Sequence, residues 1–255
     1  MTRNSVGQTL VLALPTAITL LALLSGTLSL YASLQSLEAV NPEPHRLTAA
    51  LLIMAALILD GLDGNVARLL KAESTLGGEL DTFVDLTAFG IAPALLIYGF
   101  ASGFPESLRI GLGCLLIASG AYRLARFKTV DPYRGQRGYL GLPITVCAAM
   151  TALFQVLAIQ APAAWGQLKV DPASGPVASL FLGFVALLAL LQVSHFHFPK
   201  PSKSPYFFLP GLILVFLLFT PWPALAAGCA LAGLLFGLLY VGLSPLLPRP
   251  PPARE

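Results

Sequence analysis

Four of the six aspartates in this chain fall within the 26 residues from Asp60 to Asp85, although only 11% of all residues are charged. Asp60 and Asp63 are three apart and share a helix face; Asp81 and Asp85 are four apart and share a face of the next helix. Gly77 and Gly78 lie between the pairs, where a chain leaving one helix can turn into another. Two such helices side by side point four carboxylates at one spot, where like charges force one or more to stay protonated unless a bound divalent cation offsets them. An oxygen-only donor set suits hard ions, so Mg2+ or Mn2+ is expected. Two such ions about 3.5–4 Å apart can clamp a phosphoryl group during in-line displacement. Gly64 and Ala67 leave a bare helix face on which a ligand can lie. Arg68, one turn beyond Gly64, can fork onto a phosphate.

The pattern Asp60-x-x-Asp63-Gly64-x-x-Ala67-Arg68, eight residues, then Gly77-x-x-x-Asp81-x-x-x-Asp85 resembles the signature of the CDP-alcohol phosphotransferases at all eight fixed positions. The stretch LDTFVDLTAFGIAPALL, together with RLARF followed by GLP and with VSHFHFPKPSK at 193–203, is similar to the phosphatidylserine synthase branch. That resemblance implies an integral membrane enzyme that takes CDP-diacylglycerol as donor and L-serine as acceptor and releases CMP. It implies Asp60, Asp63, Asp81 and Asp85 as metal ligands, with Asp85 also the catalytic base. Asp63, Gly64, Ala67 and Arg68 would seat the CDP portion, and a homodimer is implied. Arg123 and Arg126, three apart on one helix face, are candidates for the acceptor's carboxylate or a donor phosphate. Their alternative role is to set topology at the membrane surface. The chain departs from the branch in span one, where Thr16 and Ala22 stand in places that often hold Asn, and at Lys128. These departures bear on the acceptor, for which glycerol phosphate and inositol phosphate are alternatives. A cation transporter lined by the carboxylates is a further alternative, but ion passage has no need of the Gly-x-x-Ala-Arg insert.

Elements that could hold such a site are helices in a bilayer. Hydrophobic residues make up 56% of the chain and mean hydropathy is +0.79, beyond the ordinary range of soluble domains. The apolar runs predict an all-α polytopic transmembrane bundle of about eight spans: 10–33, 47–70, 80–100, 108–127, 142–161, 175–194, 206–220 and 223–243. One membrane domain, 1–245, is expected, with a Pro-rich cytoplasmic tail at 246–255. The N-terminal apolar run reads as a retained first span. In this arrangement twelve of the fifteen basic residues fall on the side of both termini. The positive-inside rule then places the termini and the acidic cluster in the cytoplasm, at a bacterial-type inner membrane. Pro15 and Thr19 within span one carry no signal on their own, because Ser and Thr back-bond inside membrane helices. Gly90 and Pro93 predict a bend or close packing. The three cysteines read as small buried hydrophobes. His195 and His197, two apart, do not share a helix face and make a poor zinc pair. Asp131 and Asp171 read as loop residues without chemistry. Gly228, Ala232, Gly233 and Gly237 permit close helix contact, within the chain or across a dimer. Membrane lipid is the expected surrounding, and no nucleic-acid module is present.

Overall fold

The computed structural model describes residues 3–72, 74–131, 138–165, 175–199 and 205–246. The tail 247–255, Asp171 and the basic residues Arg134, Arg137 and Lys169 lie outside them.

The described chain is a helix bundle. Its helices are α1 (Arg3–Glu38), α2 (Glu43–Leu70), α3 (Thr75–Val84), α4 (Ala92–Phe100), α5 (Glu106–Thr129), α6 (Ile144–Trp165), α7 (Pro176–Val193), α8 (Pro205–Leu217) and α9 (Pro223–Leu243). Seven helical stretches are long and apolar enough to cross a membrane, with α3 and α4 forming one of them, Thr75–Phe100. The exception among the expected spans is 206–220. There α8 has 13 residues, about 20 Å of helix against a hydrocarbon core of about 30 Å.

Small residues bring the helices together. Across the α1–α2 seam, Ala22, Ala49 and Ala50 are fully buried. Ser25 and Ser29 donate to the carbonyls of Leu52 and Ala49, each at 2.8 Å. Such hydroxyls satisfy themselves across a helix pair where no water is available. Gly26 meets the third span: a Cβ there would lie 2.6 Å from Ala88 Cβ and 2.8 Å from its Cα. On the other side of the bundle α6 packs against α9. Gly233 and Gly237 there accommodate Leu153 and Met150 of α6, so these two small residues serve contacts within the chain.

The turn between the acidic pairs falls earlier than the glycines suggest. Lys71 closes α2 in the left-handed conformation, φ 52°, with its N–H on the Ala67 and Arg68 carbonyls. Ser74 caps α3, its Oγ accepting from Gly77 N at 3.0 Å. Gly77 and Gly78 therefore stand in the first turn of α3 and not in the link. Beyond Val84 the helix widens into a π-helical turn, Asp85–Ile91, in which Ala92 N–H bonds the Thr87 carbonyl. Pro93, at the start of α4, follows directly. The expected irregularity at Gly90 and Pro93 is thus a change of winding, a feature common at functional positions.

The loops after α5 and α7 meet in a two-stranded ribbon, β1 (Tyr139–Leu140) antiparallel to β2 (His197–Phe198). The backbone between loop and ribbon is tied down by buried side chains. Arg126 Nη1 donates to Val193 O at 2.9 Å, and its Nη2 donates to Leu140 O at 2.6 Å and to Gln192 O at 3.0 Å. Asp131 Oδ2 accepts from Leu140 N at 3.1 Å. Asp131, only 4% exposed, is therefore an anchor of this ribbon and not an idle loop residue.

Candidate active site

The C-terminal turns of α2 face the start of α3 beside the N-terminal half of α1. This brings Asp60, Asp63 and Asp81 together: one carboxylate oxygen from each lies within 4.8 Å of the others. Asp85 stands outside this trio. Four residues of helix displace it about 6 Å along the axis from Asp81, and there it stays within electrostatic reach of all three carboxylates as well as of Arg123. The three grouped carboxylates fit a hard divalent cation: donors are oxygen only, they converge from two helices, and their mutual repulsion calls for a counter-charge.

Asp63 is the most enclosed of the set, at 4% exposed. Thr19 of α1 donates to its Oδ2 at 2.5 Å while lying 3.0 Å from the Pro15 carbonyl. The back-bond to Pro15 is what the sequence suggests. The bond to Asp63, 44 residues away, is not legible in it, and it makes Thr19 part of the site.

Beside the trio runs a cleft of about 200 Å3 bordered by Thr16, Gly64, Ala67, Arg68, Gly78 and Asp81. Arg68 is exposed, with Nη2 held by Asn65 Oδ1 at 3.0 Å; Asn65 is held in turn through Nδ2 by the Gly61 carbonyl at 2.6 Å. Among the described residues, and leaving aside the helix's own backbone, no atom lies within 4 Å of a Cβ built at Gly78, and at Gly64 only the Arg68 guanidinium does, at 3.7 Å. Internal packing does not demand glycine at either position, so their bareness leaves space in the cleft itself. At the edge of this region Lys128 pairs with Glu79 at 2.8 Å across α5 and α3.

The two arginines of α5 differ. Arg126 is 6% exposed, and three backbone carbonyls hold its guanidinium. Arg123, equally buried, lies over the rings of Phe127 (5.6 Å) and Tyr139 (5.5 Å) and interacts electrostatically with Asp85. Burial pushes the Tyr139 phenol above its ordinary range, with the Arg123 guanidinium pulling it back down. Tyr139 was not singled out by its sequence context; the ribbon carries it to the acidic site. His197, in the same ribbon, is buried at 4% exposed.

A family model described as CDP-alcohol phosphatidyltransferase matches residues 12–237. The chain is 35% identical over 199 residues to a CDP-diacylglycerol--serine O-phosphatidyltransferase of Helicobacter pylori, covering 75% of this chain and 78% of the relative. It is 33% identical over 160 residues to a protein of the same name from Mycobacterium leprae, covering 60% and 49% of the two chains. An archaetidylserine synthase of Methanothermobacter thermautotrophicus is 35% identical over 146 residues, 56% of this chain and 58% of that one.

Proposed function

The chain belongs to the CDP-alcohol phosphatidyltransferase family, and on that footing we propose that this integral membrane enzyme transfers the phosphatidyl group of CDP-diacylglycerol to L-serine. The products are phosphatidylserine and CMP. Three relatives whose names specify serine products or acceptors support the choice of alcohol. The observation that carries the reaction class is the convergence of Asp60, Asp63 and Asp81 beside a bare cleft ending in Arg68.

Asp60, Asp63 and Asp81, with Asp85 one turn beyond Asp81 as a further ligand, would hold a divalent cation, Mg2+ or Mn2+. When bound, it supplies charge neutralisation for the donor diphosphate and for the phosphate of the departing CMP. Gly64 and Ala67 seat the nucleotide end of the donor, and Arg68 pairs with its phosphate. Asp85 accepts the proton of the serine hydroxyl, whose oxygen forms a bond to the lipid-bearing phosphorus as the bond from that phosphorus to the CMP oxygen breaks. The resemblance supports Asp85 as that base, and its electrostatic contact with the other carboxylates and with Arg123 keeps it at the reacting centre. Of the two arginines proposed from the sequence, Arg123 suits the acceptor's carboxylate, because Arg126 is committed to backbone carbonyls. The basic-residue asymmetry supports a cytoplasmic acidic site and cytoplasmic termini at a bacterial-type inner membrane. A homodimer, implied by the resemblance, would need a face other than Gly233 and Gly237.

An acceptor screen on the purified enzyme tests this reading. CMP release from CDP-diacylglycerol is measured with L-serine, glycerol phosphate and inositol phosphate in turn. Serine alone should support turnover, and Asp85→Asn should abolish it while the protein stays folded. Turnover with glycerol phosphate and none with serine would replace the acceptor but keep the reaction class.

A further inference from the structure

A second polar cleft lies at the opposite end of the bundle. On α1, Ser36 is 17 residues beyond Thr19; on α2, Arg46 is 17 residues before Asp63. Each interval is about 25 Å of helix. The cleft, of about 260 Å3, is bordered by Ser36, Arg46, Tyr98, Ser102 and Arg109. Arg46 Nη2 donates to Gly99 O at 2.7 Å, and Arg109 Nη1 donates to Tyr98 O at 3.0 Å. The Arg109 guanidinium also lies 4.5 Å over the Tyr98 ring. These bonds cap the C-terminal end of α4, but they do not exhaust either side chain. The Nε of Arg46 and the Nε of Arg109 are both buried and have no hydrogen-bond partner among the described residues. Two guanidinia on one cleft repel each other, and each has N–H groups to spare. Glu43 acts on Arg46 from the start of α2, and Glu106 accepts from the Tyr98 hydroxyl at 3.0 Å; both carboxylates belong to exposed residues, and neither borders the cleft.

We propose that this cleft binds the phosphate of an anionic phospholipid in the leaflet opposite the acidic site. A phosphodiester bridging Arg46 and Arg109 relieves their repulsion and gives the spare donors an acceptor. The apolar flanks favour a lipid over a free anion: Leu37, 43% exposed, borders the cleft, and Leu34, one turn earlier on α1, and Leu108, next to Arg109 on α5, are 51% and 44% exposed, so acyl chains have apolar helix surface to run along. Bound there, the phosphate joins the N-terminal ends of α2 and α5 at the point where both grip the end of α4. A zwitterionic headgroup would place its own ammonium against the guanidinia.

The test uses the full-length protein in detergent with EDTA, so that the acidic site repels anions. Native mass spectrometry follows titrations with phosphatidylglycerol and with phosphatidylcholine. The unaltered protein should retain one phosphatidylglycerol with roughly tenfold preference over phosphatidylcholine. Arg109→Gln should lose that preference. Because Arg109→Gln also removes a helix cap, Ser102→Trp, which fills the cleft from an exposed turn and leaves both arginines in place, should lose it too. Equal retention of the two lipids by the unaltered protein, or undiminished preference in folded Ser102→Trp, would overturn the proposal. Inorganic phosphate raising the melting temperature as much as phosphatidylglycerol does, with the rise lost in Ser102→Trp, would overturn the lipid assignment. None of these readouts depends on the acceptor or on turnover.

Discussion

At the scale of single residues the site is a set of donors whose partners come from elsewhere in the chain. Thr19 shows the limit of reading a sequence. A threonine in an apolar span has a local partner available, the carbonyl four residues back, and nothing in its neighbours reveals a second partner. The Asp spacings were legible because both acidic pairs obey helix periodicity within one short stretch. Thr19→Val keeps the shape and removes the donor to Asp63, so apparent metal affinity, read as the Mg2+ dependence of CMP release, should fall roughly 10–100-fold with little change in helix content. Arg123 and Arg126 look equivalent in sequence, and only the ribbon separates them. Arg126→Gln should lower stability by at least about 2 kcal/mol, because buried carbonyls lose a charged donor; thermal unfolding reads this directly. Arg123→Gln should instead raise the KM for the acceptor alcohol more than it lowers the melting temperature.

Among the elements, the third span is the one whose form was least visible beforehand. Gly90 and Pro93 signal an irregularity, but hydrophobic periodicity cannot distinguish a bend from a seven-residue π-helical turn, since both interrupt the pattern over the same few residues. That turn carries Asp85 at its start and rests on Gly26 of α1. The atoms facing Gly26 are Ala88 Cβ and backbone, which cannot swing away as a long side chain can. Gly26→Ala should therefore destabilise the protein by about 1–3 kcal/mol and depress turnover by displacing Asp85. Gly111→Ala, in α5 with open space around its would-be Cβ, should leave turnover unchanged and raise the melting temperature slightly through helix propensity. A reversed order of the two would show that the α1 contact does not position the turn. The ribbon was legible in part: the segments around RLARF and SHFHF carry the same resemblance, and they prove to be in contact with each other. Their pairing was not legible, because two-residue strands have no period to read.

For the whole molecule, composition and run length gave the membrane bundle, and the acidic window gave the place of the carboxylate cluster on which the proposed chemistry rests. The count of crossings was harder. The run 206–220 is as apolar as its neighbours, yet its described helix is shorter than the hydrocarbon core, and crossing parity decides where the C-terminus lies. The acidic end can be placed independently of that question. In a cysteine-free background, Leu76→Cys in the first turn of α3 and Val40→Cys in the α1–α2 link, both at exposed positions, should report opposite faces. An impermeant maleimide should label position 40 in spheroplasts and position 76 only in inverted vesicles; the reverse pattern would turn the enzyme over in the membrane. The residues beside the cleft proposed for the donor, from Pro15 to Asp81, all belong to α1, α2, the short link after it and the first turns of α3, so that cleft is fully encoded before one third of the chain has been synthesised. Arg123, Tyr139 and the ribbon arrive later, from separate segments. Under the proposed roles, substitutions in those later segments exchange one alcohol for another while the half assigned to the nucleotide is inherited intact, and chimaeras joined between α4 and α5 would follow the same seam.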